Sequence, residues 1–104
     1  MNSPLQEIRG LTITTVKQIR DYVQIHFAET VGISIYTRMA INPSLSEISE
    51  LTGKTVIEVL ERKDEIVLIF LDDLTLKIDM RAEAYHGPEA LELNRRGHPP
   101  VIWN

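Results

Sequence analysis

The chain has 104 residues, 43% of them hydrophobic and 25% charged, with no cysteine and a formal net charge of −4. That composition excludes a disordered chain, disulfides, thiolate metal sites and cysteine nucleophiles, and leaves room for one domain, residues 1–104, folding on a single core. Neither a run of about 18 apolar residues nor the basic and apolar flanks of a signal peptide occur, so the expected location is the cytoplasm, away from a membrane.

The elements follow from an internal repeat. A shift of 43 residues aligns residues 3–36 with 46–79 without a gap. Eight pairs are identical, among them Gly10/Gly53, Thr12/Thr55, Asp21/Asp64 and Phe27/Phe70, and seven more exchange one apolar residue for another. Each copy is expected to open with a short helical segment. Ser3 caps the first, with Pro4 at its first position and Gln6 at the capping-box position. Ser44-Leu45-Ser46-Glu47 offers the second a similar start, and Gly10 and Gly53 end the two segments by taking positive φ.

Strands come next. The β-branched runs Ile13–Ile19 and Val56–Leu60 lead into turns at Asp21 and Asp64. Val23, Ile25 and Phe27 then alternate with Tyr22, Gln24 and His26, as in a strand with one buried face; Ile66, Leu68 and Phe70 take the inward positions of the second copy. Turns at Glu29-Thr30 and Asp72-Asp73 return the chain as Val31-Ile33-Ile35 and Leu74-Leu76-Ile78-Met80. A C-terminal hairpin over residues 89–103 pairs Ala90–Leu93 with Val101–Trp103 about a turn at Asn94–Gly97, and Pro99 and Pro100 send its last strand to a sheet edge. The predicted fold is mainly β: two tandem three-stranded units plus the hairpin, forming a small sandwich or partly open barrel with short helical segments. Trp103 serves either as a core plug or as an exposed anchor.

The two copies differ in chemistry. In place of the outward Tyr22, Gln24 and His26 the second copy has Glu65, Val67 and Ile69, so residues 66–71 are apolar on both faces. Either the C-terminal hairpin or the 40–52 segment covers Val67, Ile69 and Leu71, or these residues form a homodimer or partner surface. Charge is also uneven. Residues 1–43 carry four Lys/Arg against three Asp/Glu, residues 44–92 five against twelve, and the final twelve residues add Arg95 and Arg96. Free nucleic acid is excluded as a partner by the want of a basic cluster, whereas a basic protein fits.

No zinc spacing joins His26, His86 and His98, and no nucleophile elbow, phosphate loop or dinucleotide fingerprint is present, so neither catalysis, a metal nor a cofactor is expected. The Asp72-Asp73 pair lacks the oxygen-rich surroundings of a calcium loop. Tyr85-His86-Gly87-Pro88-Glu89 mixes a phenol, an imidazole and a carboxylate, and a Gly-Pro turn accounts for it without chemistry.

Leu51, Gly53, Val56 and Val59, the run Phe70–Leu76 and Glu89-Ala90-Leu91-Glu92-Leu93 together resemble a family of small two-repeat β proteins of bacteria. Its members are often found beside polymorphic toxins, and some look like immunity proteins of contact-dependent growth inhibition systems. This chain departs from the family pattern where Asp73, and Thr30 in the first copy, replace the hairpin glycine. The resemblance implies an immunity protein that occludes one cognate toxin domain, a basic nuclease acting in the cytoplasm. The residues expected to bind it are Glu61, Asp64, Glu65, Asp72, Asp73, Asp79 and Glu83, with Tyr85 and His86 beside them. A homo-oligomeric structural or adaptor protein is the alternative, and a small-molecule-binding or hydrolytic domain built on residues 85–89 is a third.

Overall fold

The computed structural model describes residues 3–28 and 30–104. Among the described residues nine strands form two antiparallel sheets packed face to face on one core. They are β1 (Thr15–Ile19), β2 (Tyr22–Ala28), β3 (Val31–Ile35), β4 (Met39–Asn42), β5 (Val56–Glu61), β6 (Glu65–Phe70), β7 (Leu74–Asp79), β8 (Leu91–Arg95) and β9 (Val101–Trp103). One sheet runs β1-β2-β3-β8-β9 and the other β4-β7-β6-β5, so the fold is an open sandwich and not a closed barrel.

Each repeat forms a three-stranded meander, as its alternation predicts, and then sends a fourth strand to the other sheet. β4 follows β3 in the chain but pairs with β7, and β8 follows β7 but pairs with β3. β4 has no counterpart among the predicted strands: only four residues long and stopped by Pro43, it lies beyond residue 36, where the repeat alignment ends.

The copies also meet at their equivalent residues. Gly10 N–H donates to Val56 O at 2.6 Å and Gly53 N–H to Ile13 O at 2.8 Å. Ile13 N–H reaches Lys54 O at 2.8 Å, and Val56 N–H reaches Leu11 O at 3.0 Å. Between these pairs Thr12 and Thr55 form a bridge, their hydroxyls 2.6 Å apart. A pseudo-twofold axis therefore passes between the two threonines, and Gly10 and Gly53, at φ 85° and 90°, supply the left-handed conformation on either side.

Two 3₁₀ turns, Pro4–Ile8 and Ile48–Leu51, cross that axis: the first packs on β5 and the second on β1. Ser3 Oγ accepts from Leu5 N–H at 3.2 Å, as a cap should. Gln6 does not complete a capping box. Its side-chain amide instead donates to Val59 O at 3.1 Å and to Glu61 Oε2 at 2.8 Å, tying the turn to β5. The second turn starts at Glu47 and not at the serines before it; there Glu47 and Glu50 form the reciprocal box.

The predicted hairpin turns shift. Asn94 and Arg95 belong to β8, which moves the last turn to Arg96-Gly97, where Gly97 has φ 78°. The β6–β7 connection has three residues, Leu71-Asp72-Asp73, and both aspartates have positive φ. Glu29 of the predicted Glu29-Thr30 turn lies outside the described residues. β9 is a sheet edge, as its prolines require, and Trp103 is half-buried against the core.

Neither segment expected to cover the outer face of β6 does so. The C-terminal hairpin extends the opposite sheet, and the 40–52 segment adds an edge strand and the second 3₁₀ turn. Val67 is nonetheless only 4% exposed, with Leu60 and Lys77 as its cross-strand neighbours on the same face. Ile69 is half-buried, while Leu71 and Ile57 are 56% and 51% exposed. No helix among the described residues is long and apolar enough to cross a membrane.

Candidate functional site

The acidic residues singled out from the sequence do not form one cluster. In the β6–β7 hairpin Glu65 pairs with Asp79 at one end and Phe70 with Leu74 at the other. Glu65, Asp79 and the turn residue Asp64 therefore share one end, while Asp72 and Asp73 stand at the opposite tip, about 17 Å away at the usual rise per residue.

At the first end two of these carboxylates are engaged within the chain, and Asp64 is exposed. Glu65 pairs with Arg62 at 2.7 Å. Asp79 accepts from Arg81 Nη2 at 2.7 Å and from its Nε and backbone N–H at 3.0 Å each. Those bonds hold the Asp79 carboxyl down to about 2. A cleft lies against them, lined by Asp64, Glu65 and Asp79 and by Arg38, Lys77 and Arg81. Glu61 accepts from Gln6, and Glu83 is exposed in a short 3₁₀ turn, Ala82–Ala84.

The pseudo-twofold axis places a second cleft at the matching end of the other sheet. Asp21, Tyr22 and Tyr36 occupy there the positions that Asp64, Glu65 and Asp79 occupy in the first. The connection between the 3₁₀ turn Ala82–Ala84 and β8 walls the cleft with His86 and Glu89, and β8 itself adds Glu92. The strand register explains the placement. Tyr22 closes the β1–β2 hairpin opposite Ile19, and Tyr36 continues β3, its N–H bonded to Ala90 O at 2.8 Å.

Side chains in this cleft are oriented by backbone groups. The Tyr22 and Tyr36 rings lie 4.8 Å apart, inclined at 32°. Tyr85 donates to Met80 O at 3.0 Å, and His86 N–H donates to Tyr36 O at 2.9 Å. His86 Nδ1 stands 2.8 Å from Asp21 O. A carbonyl only accepts, so Nδ1 carries the proton and Nε2 is the acceptor of the neutral ring. Burial raises the Tyr36 phenol, opposed by a hydrogen bond with Ser34, and the negative charges of Glu92 and Glu89 raise it further.

The structure thus brings His86 and Glu89 of the 85–89 cluster together with residues to which the sequence reading gave no site role: Asp21, Tyr22, Tyr36 and Glu92. A signal for them was present. Across the 43-residue shift Tyr22 aligns with Glu65 and Tyr36 with Asp79, so two aromatic residues stand where the other copy has two carboxylates. Tyr85, singled out with His86, is half-buried and turned to Met80.

A third depression lies on the outer face of the five-stranded sheet. Gly32 and Ser34 form its floor between Gln24, His26, Asn94 and Arg96. A Cβ at Gly32 would come within 3.2 Å of the His26 ring, so the missing side chain is what lets that ring lie close to the sheet. Among the described residues no three His, Asp or Glu side chains are grouped so as to hold a metal ion.

Comparison with protein-family models, with curated proteins and with solved structures gives no match.

Proposed function

We propose that this chain is an immunity protein, which binds a basic toxin domain tightly enough to occlude it. The supporting observation is the placement of the charge. Glu58, Glu61, Asp64, Asp72, Asp73 and Glu83 are all exposed, in the segment with twelve acidic and five basic residues. Such a surface accelerates encounter with a positively charged partner and disfavours acidic ones. Co-expression with the toxin domain encoded next to its gene tests the proposal by co-purification in moderate salt and by growth. A stable complex with restored growth is expected, and Asp72→Lys with Asp73→Lys should slow association most at low salt. Absence of both complex and rescue would sink the immunity role.

A second role, a homo-oligomeric adaptor, is favoured by Ile57 on β5 and Leu71 just past β6, two large apolar side chains that are more than half exposed. Sedimentation equilibrium separates the two: a mass that rises with concentration, and is lowered by Leu71→Asp, supports self-association.

A further inference from the structure

We infer that the Tyr22–Tyr36–His86 cleft receives an arginine side chain of the protein partner. The inference rests on the partner-binding role proposed above and names the anchor that role would use. Its starting point is the contrast between the two pseudo-equivalent clefts. In the second-copy cleft Glu65 and Asp79 are neutralised by Arg62 and Arg81, and Arg38 and Lys77 add further positive charge. The first-copy cleft is lined by Asp21, Glu89 and Glu92 and by no lysine or arginine. Among the described residues none of these three carboxylates makes an ion pair. Glu92 Oε1 accepts from Asn94 Nδ2 at 3.0 Å, a neutral donor that leaves the carboxylate's charge uncompensated.

Shape and chemistry select the cation. The cleft encloses about 370 Å³, room for one long side chain but not for a folded element. The packed pair Tyr22 and Tyr36 gives the cleft an aromatic wall for a flat cation, and the carboxylates accept hydrogen bonds at its edge. A guanidinium satisfies both at once, because it is planar, stacks on aromatic faces and pairs with carboxylates through a rigid fork; an ammonium is a hydrated point charge and gains less. The acceptor Nε2 of His86 provides a further hydrogen-bond site for such a group. Buried arginines paired with aromatic residues are also the side chains that commonly dominate interface energies.

The test titrates the ¹⁵N-labelled protein with acetyl-Gly-Arg-Gly-amide, with the uncharged citrulline peptide as control, and follows amide shifts. Saturable shifts confined to Tyr22, Tyr36, His86 and residues 89–92 are expected, at least tenfold weaker for the citrulline peptide. The Glu89→Gln/Glu92→Gln variant, with an otherwise unchanged amide spectrum, should weaken the arginine peptide about tenfold. Tyr22→Ala should do the same without altering net charge. Shifts spread over Asp72, Asp73 and Glu58 without saturation would overturn the inference, since they report general charge attraction. The same variants are then assayed against the toxin domain. Full neutralisation by Glu89→Gln/Glu92→Gln and Tyr22→Ala overturns the anchor and leaves the immunity role standing. Saturable arginine binding in a protein that neutralises no toxin supports the cleft and removes the immunity role.

Discussion

Asp72 and Asp73 hold φ angles of 75° and 61° in the three-residue β6–β7 connection. The left-handed region costs an L-residue about 1–2 kcal/mol, less for aspartate, and nothing for glycine. Asp73→Gly is therefore expected to stabilise the fold by about 0.5–1 kcal/mol, raising the melting temperature by a few degrees for a domain of this size. Urea denaturation of the two proteins checks it; a lower midpoint for the variant would show that the Asp73 carboxylate holds the turn. Arg20 has φ 48° in the two-residue β1–β2 turn, so both copies carry a non-glycine residue in a strained hairpin. The sequence signals turns at these places through Asp21 and Asp72-Asp73, but it does not show that ordinary residues take left-handed conformations there. That depends on the register imposed by neighbouring strands.

At the scale of elements, the two 3₁₀ turns are related by the repeat yet do not contribute equally. Leu5 and Ile8 of the first are fully buried, whereas in the second Leu51 is fully buried and Ile48, the counterpart of Leu5, only partly. Removal of a buried leucine side chain costs about 2–5 kcal/mol, through lost transfer energy and the cavity left behind. Leu5→Ala should fall in that range, and Ile48→Ala should cost less than half as much. Chemical denaturation with an unchanged m-value is the measurement. Equal losses would mean that the second turn is packed as tightly as the first. Tyr22 and Tyr36 illustrate the same asymmetry in the strands: identical places in two meanders, one filled by aromatic rings and the other by Glu65 and Asp79 with their arginines.

Across the whole molecule, the exchange of β4 and β8 makes each sheet a product of both halves of the chain. Residues 1–43 alone would lack the β8–β9 edge that covers β3, and residues 44–104 alone would lack β4 beside β7. The 3₁₀ turns cross as well, so each half would also expose apolar surface that the other buries. Neither fragment is expected to fold by itself, and the intact chain should unfold in one transition by far-ultraviolet circular dichroism and by Trp103 fluorescence. A folded 44–104 fragment, or two separate transitions, would show that the halves are independent.

In β3 and β6 burial does not alternate, because Gly32, Ser34 and Val67 are buried as well. In β2 and β7 the outward and inward positions were legible in the sequence, because a strand's side chains alternate with a period of two and their buried set is apolar. So were the glycines beside the pseudo-twofold axis, since a positive φ selects that residue type wherever the chain puts it. Tertiary structure alone decided which sheet receives the fourth strand of each unit, and with it which side chains line each cleft. Pairing between strands depends on groups brought together by the whole fold, and no local pattern specifies that partner. Glu65 and Asp79 have arginines three and two residues away in the sequence, so their pairing is local. Glu89 and Glu92 meet Tyr22 and Tyr36 only through the fold, more than 50 residues away along the chain.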